Sequence, residues 1–170
     1  MTSLDGLPRE KALELVRKAK LADLTRWIAT IPAEKMPADF LDTLGDDVTE
    51  EPFCLRLCLL VWIASEQTQV PKGLQLKAAL AFLHQKDSLL CAGTGFGKTM
   101  MIVMAVLMNK PEDESLVIAI SPLKRLQTSQ RDSFLRYGIE AMAINEDTMA
   151  TISDFDWKAS GILTTPSADS

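Results

Sequence analysis

The sequence predicts an α/β fold with a mostly parallel sheet, preceded by an all-helical N-terminal extension. From Pro71 onward, short apolar segments alternate with helix-length segments, and a glycine-rich turn interrupts them in CAGTGFGKTM, residues 91–100. Before that point only helical spacing is found. Strands that alternate with helices of about 10 to 15 residues imply right-handed crossovers and helices on both faces of the sheet. We therefore predict a helical extension over residues 1–69 and an α/β domain over residues 70–170.

The extension is predicted to contain four helices. Pro8 suits a first helical turn, and the segments ALELV and LADLTRWIATI space their apolar residues by three and four. Pro37 opens a third helix with Gly45 as its stop, and Pro52 opens FCLRLCLLVWIASEQ, the most apolar candidate. No catalytic constellation occurs here. The extension is expected to pack on the second region, and a protein partner that binds residues 1–69 is the alternative.

Helices and strands are predicted to alternate along the second region. Its helices are LQLKAALAFLHQ, TMMIVMAVLMN and LKRLQTSQRDSFLRY, the last closed by Gly138. Its strands are SLLCA, LVIAI, IEAMAI and one around GILTT.

Composition restricts the class of protein. An apolar content of 47% and a charged content of 24% are typical of a folded chain. No apolar segment reaches membrane-spanning length and the N-terminus lacks a signal-peptide pattern, so we expect an intracellular protein, in nucleus or cytoplasm, without a membrane partner. The net charge of −5 argues against a general nucleic-acid coat protein, but leaves room for a local basic groove.

Three cysteines, an odd number, indicate reduced thiols rather than a disulfide framework. Cys54 and Cys58 lie four apart on a predicted helix, where core positions are the simplest interpretation. The single histidine, His84, cannot complete a metal site with them.

The glycine-rich turn predicts phosphate binding. Three of the chain's 8 glycines fall within residues 93–97, between a predicted strand and a predicted helix. Successive backbone N–H groups in such a turn bind phosphate oxygens, and the helix N-terminus adds positive potential. Gly95 and Gly97 allow the required backbone conformation, Lys98 reaches the β- and γ-phosphates, and the Thr99 hydroxyl can bind Mg²⁺.

The pattern AGTGFGKT has Ala92 where the general phosphate-loop motif has its first glycine. It resembles the first motif of superfamily 2 helicases, which include the DEAD-box and RecQ-like enzymes. Gln75, 23 residues before Lys98, resembles the glutamine that recognises adenine in that group. The resemblance implies a partial RecA-like P-loop NTPase domain with ATP and Mg²⁺ as cofactors. Lys98 and Thr99 would be catalytic, with Thr99 as the Mg²⁺ ligand. The implied nucleotide-binding residues are Gln75, Gly93, Thr94, Gly95, Phe96, Gly97, Lys98 and Thr99.

Two later segments extend the resemblance toward RecQ-like helicases. SPLKRLQTSQ, residues 121–130, is similar to the family's SPLxxLxxxQ motif, and GILTTP to a strand that ends in a Thr-Pro-Glu sequence. Gly138 and Asn145 stand where the family places a glycine and an asparagine. The resemblance implies a single-stranded nucleic-acid partner, with DNA favoured over RNA. The implied contact residues are Ser121, Pro122, Leu123, Lys124 and Thr165.

The sequence also departs from the family pattern. Lys72 and Pro71 stand in place of an arginine and an aromatic residue, and Ser167 replaces a glutamate. An Asp-Glu pair at a strand end, which orients water and Mg²⁺ for phosphoryl transfer, is not found. The acidic residues that fail to match it are Glu112, Asp113, Glu114, Glu146, Asp147, Asp154 and Asp156. The expectation is a RecQ-like DNA helicase fragment, truncated before the acidic motif, that binds ATP and nucleic acid but cannot unwind alone.

Two alternatives stay open. A small P-loop kinase would need arginines to clamp the transferred phosphate, and only Arg125, Arg131 and Arg136 follow the loop, all on one predicted helix. A non-catalytic interaction protein would carry a vestigial P-loop and bind its partner through residues 1–69.

Overall fold

The computed structural model describes residues 4, 6–44, 49–109, 116–121, 124–145 and 162–165. The chain divides into two compact units, Met1–Met108 and Asn109–Ser170. The helices of the first unit are α1 (Arg9–Lys18), α2 (Leu21–Trp27), α3 (Ala38–Leu41), α4 (Glu50–Ala64), α5 (Gly73–Leu83) and α6 (Thr99–Met108), with 3₁₀ turns at Ile28–Thr30 and Ala33–Lys35. The second unit contains β1 (Val117–Ile120), α7 (Lys124–Leu135), β2 (Ala141–Ala143) and β3 (Ile162–Thr165).

Helix α4 is the centre of the first unit. Its sequence is apolar on every face, as expected for a helix with neighbours all round, and α1, α2, α5 and α6 pack against it. It begins at Glu50 rather than at the predicted Pro52. Proline is tolerated there because backbone N–H groups of a first turn have no partner within the helix. No described helix is long and apolar enough to cross a membrane.

Arginine side chains join α1 to α4 at both ends. Arg9, the first residue of α1, donates from Nη2 to the carbonyl oxygen of Ala64, the last residue of α4, at 2.7 Å. Arg56 on α4 donates in return to the carbonyl oxygens of Val16 at 3.2 Å and Ala19 at 2.8 Å. These bonds satisfy carbonyl groups that a helix end leaves without partners. Burial lowers the pKa of Arg56.

The extension is also joined to the helix that follows the glycine-rich turn. Arg17 Nε donates to the carbonyl oxygen of Leu107 on α6 at 2.8 Å. Since α5 and α6 share the first compact unit with α1 and α4, the boundary predicted near residue 70 falls inside that unit. The extent of the two domains stays a prediction.

The second unit contains a parallel three-stranded sheet in the order β1-β3-β2. These strands fall within the predicted LVIAI, IEAMAI and GILTT segments, and their parallel pairing agrees with the predicted sheet. Helix α7 packs on β2, and Phe134, Ile139 and Ala143 are buried. Gly138 ends this helical segment as predicted: its φ is +69°, and the N–H of Ile139 donates to the carbonyl oxygen of Phe134 at 3.2 Å.

The strand predicted for SLLCA is wrong. Residues 88–92 have no regular secondary structure, and Leu89 is 91% exposed. A strand exists only through hydrogen bonds to a neighbouring strand, and in the described residues of the first unit the regular elements are helical. The apolar composition of the segment therefore did not determine its structure.

Candidate functional site

The glycine-rich turn forms an exposed loop at the start of α6. Gly95 and Gly97 have φ values of +82° and +87°, a conformation that favours glycine. A Cβ at Gly97 would also approach Gln75 Nε2 to 2.9 Å, so crowding adds to the requirement there. The N–H of Phe96 donates to the carbonyl oxygen of Gly93 at 3.3 Å, which closes the turn. The two glycines singled out from the sequence are thus the ones that the loop conformation requires.

Lys98 folds back over this loop. Its Nζ donates to the carbonyl oxygen of Ala92 at 2.6 Å and to that of Gly93 at 3.3 Å, and the residue is exposed. An ammonium group has three donors and is a compact charge, so phosphate oxygens can take the place of these carbonyl oxygens. A negatively charged group bound at the loop would therefore lie close to the Lys98 ammonium.

Gln75 lies beneath the loop instead of on its surface. The side chain is on α5, only 3% exposed, and its Nε2 donates to the carbonyl oxygens of Phe96 and Gly97, each at 3.0 Å. Its Oε1 accepts the N–H of Lys72 at 2.8 Å, as a helix-start glutamine does in a capping box. Both amide hydrogens are therefore engaged by the loop. Adenine recognition by Gln75 stays a prediction, and in this arrangement it requires the amide to leave the loop.

A second contact joins the same helix start to the loop. Lys72 Nζ lies 5.1 Å from the centroid of the Phe96 ring. A cation over an aromatic face contributes about 0.5–1 kcal/mol at an exposed site. Lys72, one of the departures from the family pattern, is thus a partner of Phe96 in the loop.

Thr99 is the first residue of α6 and is half-buried. A hydroxyl at that position, next to the exposed Lys98, suits a Mg²⁺ ion that is also held by phosphate oxygens. The described residues contain no cluster of three or more His, Cys, Asp or Glu side chains that could hold a metal ion by themselves. Mg²⁺ binding at Thr99 stays a prediction.

The carboxyl ends of the sheet bring predicted nucleic-acid residues together. Ser121 follows β1 directly, and Thr165, the last residue of β3, pairs with Ile120 at the end of β1. Ligands of parallel sheets bind at this edge. Pro122 and Leu123 lie outside the described residues, as do the side chains of Lys124 and Thr165. The acidic residues that fail to match the family's acidic pair also lie outside them: Glu112, Asp113, Glu114, Glu146, Asp147, Asp154 and Asp156.

A buried polar network at the same edge was not predicted as a unit. Gln127 on α7 is fully buried, and its Nε2 donates to the carbonyl oxygen of Ser121 at 3.1 Å. Asn145 donates from Nδ2 to Gln127 Oε1 at 3.0 Å. The Ser121 hydroxyl is buried without a hydrogen-bond partner among the described residues. Ser121 and Asn145 were singled out in the sequence by their resemblance to family positions. Gln127 was not, because it is one of several polar residues on an amphipathic helix.

Cys54 and Cys58 have the predicted core positions, whereas Cys91 belongs to the segment wrongly predicted as a strand. Cys54 and Cys58 are buried on α4, and Cys91 is exposed just before the loop. Burial, with a smaller contribution from Glu50, raises the pKa of Cys54 to about 12. Burial, aided by Cys54, also raises the pKa of Cys58. Both thiols behave as core groups.

The sequence model of the DEAD/DEAH box helicase family matches residues 72–167, more than half of the chain. The matched segment contains the glycine-rich loop, Gln75 and SPLKRLQTSQ. It supports a helicase-type RecA-like domain. No curated protein and no solved structure matches the chain.

Proposed function

The chain belongs to the DEAD/DEAH box helicase family, and we propose that its glycine-rich loop binds ATP with Mg²⁺ while the segment from Ser121 binds single-stranded nucleic acid. Within the family we place it with the RecQ-like helicases. SPLKRLQTSQ and the segment ending in Thr165 support this placement, and it favours DNA over RNA.

The arrangement of Lys98 is the observation that carries the nucleotide proposal. Its side chain is exposed above a loop in which Gly95 and Gly97 adopt positive φ, and its hydrogen-bond acceptors among the described residues are the carbonyl oxygens of Ala92 and Gly93. With ATP bound, Lys98 would donate to the β- and γ-phosphate oxygens in place of these carbonyl oxygens, and the N–H groups at the start of α6 would donate to the remaining phosphate oxygens. Thr99 would hold a Mg²⁺ ion, which would supply countercharge to the phosphates.

The polar edge of the sheet supports the nucleic-acid proposal. Ser121 joins the network with Gln127 and Asn145 through its backbone carbonyl oxygen, and this network holds the junction between β1 and α7 in place. A strand-to-helix junction offers backbone N–H groups to phosphates, and Lys124 and Arg125 add positive charge to the segment.

Calorimetric titration with ATP and Mg²⁺ tests the loop. We expect measurable binding by the wild-type chain and a loss of at least about tenfold in affinity for Lys98→Ala, because the main countercharge of the triphosphate is removed. Lys77→Ala, an exposed lysine on α5, is the matched control and should bind like the wild type. Equal heats from Lys98→Ala and the wild type would refute the proposal.

Fluorescence anisotropy with labelled single-stranded DNA and RNA of one sequence tests the second site. Lys124→Ala should weaken binding and lower the salt dependence by about one counterion, since one phosphate contact is lost. Arg131→Ala, on the same helix but paired with Asp132 at 3.0 Å, should have little effect. Equal weakening by both variants would indicate general charge attraction in place of a site.

A further inference from the structure

An open cleft of about 370 Å³ lies in the N-terminal extension, within the first compact unit. The residues up to the first turn of α1 form one part of its lining, and the end of α4 with the turn after it forms another. The lining includes Leu4, Leu7, Arg9, Trp62, Ile63 and Glu66. Its volume is within the range of small-molecule sites, and no residue of the glycine-rich loop lines it.

Arg9 brings a positive charge with unused donors to this cleft. Its Nη2 donates to the carbonyl oxygen of Ala64 at 2.7 Å, and its Nε is buried with no hydrogen-bond partner among the described residues. A guanidinium group has five N–H donors, and a carboxylate can accept two of them in parallel. Because a buried donor without an acceptor is destabilising, a carboxylate bound at Arg9 would satisfy a group that the protein leaves open.

The turn after α4 brings a negative charge to the same cleft. Glu66 and Gln67 have φ values of +53° and +63°, a conformation that residues other than glycine seldom adopt. Backbone hydrogen bonds hold this turn, with the N–H of Gln67 donating to the carbonyl oxygen of Trp62 at 2.8 Å. Glu66 is exposed, and although it lines the cleft with Arg9, the two side chains form no ion pair with each other. The cleft therefore carries two opposite charges that are not paired together.

We propose that this cleft binds a free α-amino acid with an apolar side chain. Such a molecule carries a carboxylate and an ammonium group on one carbon atom, so it pairs with Arg9 and Glu66 at once. Its side chain packs against the apolar part of the lining, which is formed by Leu4, Leu7, Trp62 and Ile63. A ligand with one charge alone leaves the other protein charge unpaired. The proposal concerns the extension and is independent of nucleotide binding at Lys98.

Titration calorimetry of the whole chain with three related compounds tests the assignment. Leucine carries both charges, 4-methylpentanoate lacks the ammonium group, and 3-methylbutylamine lacks the carboxylate. The wild type should bind leucine at least about tenfold more tightly than either of the other two, because each of them lacks one set of charge-assisted hydrogen bonds.

Substitution of the two charged residues should separate the two ends of the ligand. Glu66→Gln should weaken leucine by about tenfold and change 4-methylpentanoate by less than about twofold. Glu34→Gln, an exposed position of the extension outside the cleft lining, is the matched control and should bind leucine like the wild type. Arg9→Gln should weaken leucine and 4-methylpentanoate by the same factor. A thermal melt accompanies Arg9→Gln, since Arg9 also bonds to Ala64.

Two results would overturn the inference. If the wild type fails to bind leucine at millimolar concentration, the cleft is not an amino-acid site. If Glu66→Gln leaves the ratio of leucine affinity to 4-methylpentanoate affinity unchanged, Glu66 does not bind the ammonium group. The second result needs only the exposed position Glu66, so it decides the question even where Arg9→Gln does not fold.

Discussion

The two compact units differ in how completely they cover their apolar side chains. In the first unit, α4 is buried along its length by α1, α2, α5 and α6. In the second, Leu116, Ile118 and Ile120 are 44%, 58% and 69% exposed. These residues alternate along β1 and its approach, so they share one face of the sheet. The described residues of the second unit leave that face open.

The difference follows from what the two kinds of element need in order to be covered. A helix makes its own backbone hydrogen bonds and buries an apolar face against other helices, as α4 does against helices that lie before and after it in the chain. The sheet instead pairs β1 with β3, which is more than 40 residues away in sequence. A face of such a sheet is covered only when later or more distant elements arrive.

Truncation should produce the largest effect. A chain of residues 1–108 keeps the four helices that pack on α4 and should unfold cooperatively, whereas residues 1–69 lose α5 and α6 and should fail to fold as a monomer. Thermal melts followed by circular dichroism, with size-exclusion chromatography, measure both. A cooperative melt of monomeric 1–69 would show that the extension is an independent domain, as the sequence-based boundary predicts.

Shortening an apolar side chain should produce the next largest effect, and the effect should differ between the two units. Leu57→Ala, at a fully buried position of α4, should lower the free energy of unfolding by about 2–5 kcal/mol through lost burial and a cavity. Ile118→Ala should change it by less than about 1 kcal/mol, since that side chain is mostly in solvent. Urea unfolding measures both values. A large cost at Ile118 would mean that the open face is covered in solution.

Removing the buried polar network should have a smaller effect on stability, and it tests the second unit alone. Gln127→Ala removes the donor to the Ser121 carbonyl and the acceptor of the Asn145 amide, so we expect a loss of about 1–3 kcal/mol in the free energy of unfolding. Thr128→Ala, the exposed neighbour on α7, should cost nothing because alanine favours helix. Equal free energies of unfolding for the two variants would show that the hydrogen bonds of Gln127 do not stabilise the fold.

The smallest effect concerns the thiols of the first unit. Burial raises the pKa of Cys54 from 9.0, the value of a solvent-exposed thiol, to about 12, so the thiol loses its proton first in the unfolded state. The stability that Cys54 contributes is complete below pH 9.0 and is lost as the pH rises toward 12. Melting temperature should fall over this interval, and the slope should be shallower for Cys54→Val, which cannot ionise. A slope that Cys54→Val leaves unchanged would show that Cys54 is ionisable in the fold.

Alkylation gives the matching readout at fixed pH. With iodoacetamide at mildly alkaline pH, exposed Cys91 should react, and Cys54 should react only after denaturation. Peptide mass spectrometry resolves the two positions. Rapid labelling of Cys54 in the native chain would contradict the buried position of α4.

Local patterns predicted most helices and the conformation of the glycine-rich loop. Apolar spacing of three and four found α1, α2, α5 and α7 within a few residues, since a helix is decided by its neighbours in sequence. The positive φ of Gly95 and Gly97 was predictable because few other residues adopt it. Local patterns could not test the domain boundary near residue 70, since a boundary depends on which helices pack on α4.

By itself, the sequence determined the α/β class, the glycine loop with Lys98, and the core role of Cys54, because each depends on residue type and short spacing. Only the tertiary structure decided that SLLCA is not a strand and that Gln75 supports the loop from below. It also joined Gln127 to Asn145. The reason is that a strand or a buried amide is defined by a partner elsewhere in the chain, and spacing along the chain does not specify that partner.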